Sequence, residues 1–359
     1  MKRLPQSKRL LNIELLRIIA MFMVLNLHAN FLSFKNPSLA IEGINSIIAR
    51  DLWESLCLCA VNVFVMISGW FGIKFSIRGF ANFMWQVFYI VCLLSLVNIF
   101  ILHEPINHKI ILMPLGLYGG GGWFVPAYIF LYLIAPALNL LVEHTPRKTL
   151  RLILIVFFIL ETIWGMTNPS DFFQAGYSPT SFIGLYLLAA FLRRSNKRIK
   201  SSSAFILYLI CTLAVASILI FETITSNTIL GFFYSYASIL VIAAAAFLLL
   251  SFTGLQESAF HKRPWEKIIP WLSTSCFAVY LLHVGTPFAL KFYTTTIRES
   301  YYAHPGIVGA LCVAGIILGV FFAAILIDRP RVWIWRSFLL PLFGQKETSK
   351  TKENEAMIG

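Results

Sequence analysis

The sequence predicts an all-α polytopic membrane bundle of about ten transmembrane helices, and three observations carry that prediction. Of the 359 residues, 58% are apolar and 13% charged, against about 45–50% and about 25% in soluble domains. Mean hydropathy is +0.77, and 32 phenylalanines are too many for one water-surrounded core. The apolar residues also gather in segments that mostly approach the roughly 20 residues needed to cross hydrocarbon. A soluble enzyme, a disordered chain and a fibrous protein are excluded.

The segments lie near 12–34, 52–72, 79–101, 121–142, 152–168, 179–192, 203–221, 229–250, 269–290 and 306–327. The first follows a basic stretch (Lys2, Arg3, Lys8 and Arg9). It is too long for a signal-peptide core and has no small-x-small cleavage site, so it reads as an uncleaved helix. The 152–168 and 179–192 segments are short, which leaves nine and eleven crossings open. No linker or internal repeat divides the chain. The expected organisation is an N-terminal segment over 1–11, a membrane-embedded domain over 12–332 and a C-terminal tail over 333–359, polar beyond Gly344.

Charge orients these segments. With the N-terminus inside, 23 of the 29 Lys and Arg residues fall in cytoplasmic segments and five in outer ones, and Arg17 sits inside the first helix. Acidic residues divide evenly by the same map, so the basic residues alone discriminate, as the positive-inside rule describes. The expectation is a multi-pass protein of the cytoplasmic (inner) membrane with both termini cytoplasmic. The net charge of +13 fits loops beside an anionic leaflet. Without a basic face in polar surroundings, it does not indicate nucleic-acid binding. Cys57, Cys59, Cys92, Cys211, Cys276 and Cys312 all lie in apolar stretches, and no Cys/His cluster has metal-ligand spacing. Neither a disulfide framework nor a metal site is expected.

The polar residues inside apolar segments point to chemistry. Arg17 and His28 are eleven apart in the first helix, three turns plus roughly 20°, and so share a face. A rise of 1.5 Å per residue separates them by about 16 Å. This puts Arg17 near the cytoplasmic end and His28 deeper. Glu14, three residues before Arg17, can pair with it. Buried ionisable groups are costly and usually line a bundle interior or a watery route. The bland alternative is Arg17 snorkelling to headgroups and His28 bonding to a neighbouring helix. Asn62, Ser68 and Gly69 in the second segment suit close helix packing equally well. Tyr128 and Tyr132 share a face of the fourth segment, behind Trp123, which also suits an aromatic belt. His283 and Glu161 are further interior groups. Asp328-Arg329-Pro330 is expected to stop the last helix and anchor it at the inner surface. The glycines Gly119 to Gly122 suggest a bend or close chain approach, with a merely flexible loop as the alternative.

A neutral His can take a proton from a hydroxyl as it attacks a thioester, then return it to the leaving thiol. An Arg offers five donors and a permanent charge to a phosphate. The pair suits a phosphorylated acyl carrier. A proton-coupled transporter or an exporter of glycan or lipid precursors would use the same residue types. Serine-elbow, dinucleotide-fold and P-loop patterns are absent.

Taken in order, these pieces resemble the acyltransferase 3 family of integral-membrane O-acyltransferases, which modify surface polysaccharides and other glycans. Glu14, Arg17 and His28 are similar to its opening signature of an acidic residue, Leu-Leu-Arg and a His eleven positions on. Phe64 to Trp70 resembles its apolar-Ser-Gly segment, and Trp123 to Pro136 its Trp-Phe…Tyr-Leu…Pro segment. Tyr280-Leu-Leu-His283 and Asp328-Arg329-Pro330 resemble its late helix and terminal elements. The likeness spans about 10–332. It implies a ten-helix core and acyl-CoA, most simply acetyl-CoA, as a donor substrate on the cytoplasmic side, with no permanently bound cofactor. The implied acceptor is a hydroxyl of a cell-surface glycan or its lipid-linked precursor, with succinyl or longer acyl groups as the alternative donor load. By the resemblance, His28 is the catalytic base, and Arg17 with Glu14 holds acyl-CoA. Ser68, Trp123, Tyr128, Tyr132 and His283 are candidates for lining the active cavity. Partners implied are the lipid bilayer, the glycan acceptor and glycan-assembly proteins. Two departures stand out: Asp328 where Glu is frequent, and no additional soluble transferase domain.

Overall fold

A computed structural model describes residues 10–167, 172–195, 199–226, 231–256, 260 and 264–343. The basic stretch before residue 10, Lys197, Arg198, Lys262, Arg263 and the tail beyond 343 lie outside the described residues, as does part of the 169–178 loop. Among the described residues the protein is all-α. Its helices are α1 (Leu11–Ala29), α2 (Phe31–Phe34), α3 (Ile44–Cys57), α4 (Ala60–Phe71), α5 (Ile77–Phe100) and α6 (His108–Leu112). They continue with α7 (Phe124–His144), α8 (Arg147–Thr167), α9 (Pro179–Arg193), α10 (Ser201–Thr225) and α11 (Ile239–Thr253). The last are α12 (Trp265–Ser273), α13 (Cys276–Val284), α14 (Pro287–Ala303) and α15 (Ile307–Ile334).

Among the described residues, seven helical stretches are long and apolar enough to cross a membrane: Leu11–Phe34, Ile44–Phe71, Ile77–Phe100, Phe124–His144, Ser201–Thr225, Trp265–Val284 and Ile307–Phe343. Pro179–Arg193 and Ile239–Thr253 are shorter apolar helices. The protein is a polytopic membrane protein. Several helix starts follow from local sequence. Ser76, Asn107, Ser178 and Thr286 precede α5, α6, α9 and α14, and each side chain accepts from a backbone N–H of the first turn. Pro179 and Pro287 supply the first helical residue, where the missing N–H costs nothing.

Three expectations need correction. The segment near 229–250 is α-helical only from Ile239; before it, Gly231–Phe233 make a single 3-10 turn and 234–238 a turn-rich loop. The segment near 269–290 is broken twice, between α12 and α13 and again before Pro287. Finally, Asp328-Arg329-Pro330 does not end the last helix, because α15 runs on to Ile334 with Pro330 inside it. Proline there forfeits one backbone hydrogen bond, but a buried pair holds the same turn. Arg331 Nε lies 2.5 Å from Asp328 Oδ1. Ser275 Oγ and Gln86 Nε2 also donate to Asp328, at 2.8 and 3.2 Å.

The glycine run makes a close approach rather than a loose loop. Gly121, at φ +79°, donates its N–H to Gly285 O at 2.9 Å, and a Cβ on Gly120 would overlap the Met113 carbonyl. This ties the start of α7 to the end of α13. At the opposite end Arg193 donates to the carbonyls of Trp70 and Phe71, and Arg194 to that of Thr145. Both cap carbonyl groups that a helix end leaves unpaired. α1 runs through the middle and packs against α3, α4, α11, α12, α13, α14 and α15.

Removing one member of a buried ion pair costs about 3–5 kcal/mol, whereas replacing both with apolar groups can be neutral. Asp328→Ala should therefore lower the denaturation midpoint in detergent markedly, and the pair Asp328→Leu with Arg331→Met should recover most of it. A single variant as stable as the parent would contradict the assignment.

Candidate active site

The face of α1 that carries Arg17, Met21, Val24 and His28 (spacings of four, three and four) borders a cavity of about 710 Å³. Its two ends are polar and its middle is apolar. Arg17, Ser68, Asn82, Gln86 and Tyr128 line one end. Met21, Val24, Phe64, Ile67, Phe83 and Phe277 form the middle, and His28, Glu54, Trp123, Tyr177, Tyr234 and Tyr236 line the other end.

At the first end, Glu14 Oε2 accepts from Arg17 Nη1 at 2.8 Å and also from Ser273 Oγ. Glu14 is buried behind Arg17, so it orients the guanidinium. Only one of its five N–H donors is needed for this contact. Asn82 and Gln86 are held in turn by Arg331 and Asp328. Ser68 Oγ and Tyr128 Oη are 3.1 Å apart.

His28 gains a partner that its sequence position did not reveal: its Nδ1 lies 3.0 Å from His283 Nε2. The chain of contacts fixes the tautomers. His283 Nδ1 is 2.7 Å from the Val279 carbonyl, which can only accept, so Nδ1 carries the hydrogen. In the neutral ring Nε2 is then an acceptor, and His28 Nδ1 must donate to it. His28 Nε2 then carries the ring's free lone pair, on a residue that lies in the cavity wall. That is the form a general base requires.

A family model described as an acyltransferase domain, that of the acyltransferase 3 family, matches residues 10–329. The chain belongs to that family. No curated protein and no solved structure matches it. The acyltransferase 3 domain makes this protein an O-acyltransferase. Its membership favours transfer chemistry over export for the cavity.

Of the residues singled out from the sequence, the structure brings Arg17, His28, Ser68, Trp123 and Tyr128 to the wall of this acyltransferase's cavity. Glu14 and His283 stand directly behind Arg17 and His28. Tyr132 lies outside the wall: one turn beyond Tyr128, its hydroxyl reaches the Ser76 carbonyl at 3.4 Å, and its ring packs on Phe75 and Phe80. Glu161 is buried on α8, away from this cavity. Among the described residues no cluster of three or more His, Cys, Asp or Glu can hold a metal ion, and the six cysteines are free.

Sequence reasoning missed Glu54, Asn82, Gln86, Tyr177, Tyr234 and Tyr236. The signal for Glu54 was a carboxyl at the start of an apolar segment, three residues after Asp51. Tyr234 and Tyr236 had no signal, because their segment read as helix where the chain forms a loop. Tyr234 Oη donates to Glu54 Oε1 at 2.7 Å. Burial, and then the neighbouring carboxyl, push the Tyr234 phenol upward, so it stays a donor.

Losing the acceptor of a buried N–H costs about 1–3 kcal/mol. His283→Ala should therefore lower kcat by about 10–100-fold and leave the donor KM near that of the parent. His283→Gln, whose amide oxygen can accept from His28, should recover part of the loss. Steady-state transfer rates normalised to folded protein check this, and an unaffected Ala variant would contradict the orienting role.

Proposed function

We propose that this protein moves an acyl group, most simply acetyl from acetyl-CoA, to a hydroxyl of a cell-surface glycan or its lipid-linked precursor. The observation that supports this most is that Arg17 and His28 line one cavity with apolar residues between them, and that His28 Nδ1 is engaged by His283. The two are about 16 Å apart along α1. An extended CoA arm spans such a distance, with its phosphates at Arg17 and its thioester beside His28. In this reading the membrane-embedded unit, residues 12–332, crosses the inner membrane ten times. Its Arg17 end and both termini face the cytoplasm, following the partition of basic residues. Glycan-assembly proteins supply and receive the acceptor.

The reaction follows from the tautomer. His28 Nε2 takes the acceptor's hydroxyl proton while that oxygen bonds to the thioester carbonyl carbon. The C–S bond breaks, and the proton passes from Nε2 to sulfur, leaving an ester and free CoA thiol. His283 holds the ring throughout. Arg17, set by Glu14, binds phosphate with a planar fork that a Lys lacks. Ser68 and Tyr128 border the arm's path, and Trp123 borders the acceptor end. The second reading of the donor's load is a succinyl or longer acyl group.

Purified protein given labelled acetyl-CoA and candidate glycans should release CoA only when the glycan is present. Acceptor-independent transport into vesicles would overturn the reading. A proton-transfer residue contributes about 10²–10⁴-fold to rate. His28→Gln, which cannot cycle a proton near neutral pH, should lose that factor while binding acetyl-CoA normally. Arg17→Lys should weaken acetyl-CoA binding without loss of membrane insertion. Substantial turnover by the folded Gln variant would defeat the general-base assignment.

A further inference from the structure

The flank of the bundle carries a second concavity, separate from the cavity along α1. α8 packs on α9 and, at its far end, on the turns at Gln174–Gly176 and Gly231–Phe233. Beside α9 it leaves a groove of about 540 Å³ that reaches Ile239 at the start of α11. The groove shares no lining residue with the cavity along α1. Buried Leu154 and Phe158 and half-buried Leu188 and Phe191 line it, together with exposed Ile155 and Ile159. From Arg151 to Ile163 it follows α8 for about 18 Å, at 1.5 Å per residue. One leaflet's hydrocarbon is about half of the roughly 30 Å core, so the groove has the length of a single acyl chain.

One end of this apolar groove is cationic. Arg151 lies in its wall and forms no hydrogen bond or ion pair among the described residues. Arg147 stands one turn earlier. Its Nη2 donates to Ser195 Oγ at 2.7 Å, and its guanidinium carbon lies 5.4 Å from the centroid of the Phe191 ring that lines the groove. Exposed Lys148 adds a third charge on the same two turns. No acidic residue lies in the first turn of α8, where the helix dipole favours an anion and disfavours cations. Three cations gathered at a positive helix end need an anion from outside the chain. A second copy cannot supply it: two copies share one orientation in the membrane, so a symmetric contact through this face would set the same three cations against themselves. Basic pockets between membrane helices are where anionic lipid headgroups bind.

We propose that this groove is a binding site for an anionic glycerophospholipid: one acyl chain lies along Leu154, Phe158 and Leu188, and the headgroup phosphate sits against Arg147, Lys148 and Arg151. The bound lipid fills the gap beside α9 and so fixes α8, whose main protein contact is α9 itself. It is a structural ligand, neither donor nor acceptor of the acyl group. The site depends on the proposed function only for its leaflet, the cytoplasmic one, to which the partition of basic residues assigns the Arg147 end.

The test is native mass spectrometry of the full-length protein, delipidated in detergent and titrated with phosphatidylglycerol, with phosphatidylcholine of the same chains, and with deacylated glycerophosphoglycerol. The tightest site should take phosphatidylglycerol about tenfold or more better than phosphatidylcholine, as two basic side chains at a headgroup imply. The chain-free headgroup should not compete. Lys148→Gln combined with Arg151→Gln should remove the preference. Ile155→Trp, which fills the groove and leaves the cations in place, should weaken phosphatidylglycerol binding about tenfold, the worth of about two chain methylenes. Equal binding of the two lipids would overturn the proposal. So would competition by the chain-free headgroup, which makes the site one for free phosphate. Unchanged binding by Ile155→Trp also contradicts it, because the lipid would then belong to a layer held by charge alone. A lipid-free dimer that Ile155→Trp breaks would assign the face to a second copy instead. Unfolding midpoints without lipid should match the parent's for both variants; if Ile155→Trp does not fold, Ile159→Trp provides the same reading.

Discussion

Arg17 and His28 cannot face hydrocarbon, and the bundle is arranged around that constraint. Placing an ionisable side chain against lipid is expensive, so the helix that carries both sits in the middle, packed against eight others among the described residues. Three of the polar groups on it are answered from three different elements. Asn12 donates to the Phe252 carbonyl at the end of α11, Glu14 accepts from Ser273 of α12, and His28 meets His283 of α13. The same necessity explains the short helices. A break between α12 and α13 lets Ser273 face Glu14 while Ser275 faces Asp328.

That arrangement leaves a passage instead of a filled core. Side chains on one stripe of α1 border a cavity whose polar ends differ in kind. The Arg17 end offers permanent positive charge and amide groups, and the His28 end offers a carboxyl, phenols and an indole. In the proposed reaction a phosphorylated carrier would occupy the Arg17 end and a hydroxyl-bearing acceptor the His28 end, with the carrier's arm along the apolar stretch and its thioester beside His28. The second histidine adds direction: a carbonyl on α13 sets the proton on His283, and His283 sets the proton on His28.

Much of this was legible in the sequence, for reasons that can be named. The class was readable because hydropathy reports directly on the solvent a helix must face. The common face of Arg17 and His28 followed from helical geometry alone, as did the Glu14 pairing. The helix start at Ser178-Pro179 was written locally, whereas the one at Thr286-Pro287 falls inside a segment read as continuous over 269–290. The contact between His28 and His283 was not, because it joins residues 255 positions apart through the packing of two helices. Asp328 was misread for a related reason: proline signals a helix end locally, but a buried ion pair with Arg331 and bonds from α5 and α13 outweigh it. The loop holding Tyr234 and Tyr236 was hidden inside an apolar run whose composition suits a helix equally well.

The central claim is that one cavity along α1 holds a carrier's phosphates at Arg17 and delivers its acyl carbon to His28. A structure of the protein with a non-transferable acetyl-CoA analogue, in which a stable linkage replaces the thioester, tests that claim most directly. The account predicts phosphates against the Arg17 guanidinium and the acyl carbonyl beside His28 Nε2, with the arm running past Met21 and Val24. An analogue bound outside this cavity, or one whose acyl end points away from His28, would contradict it.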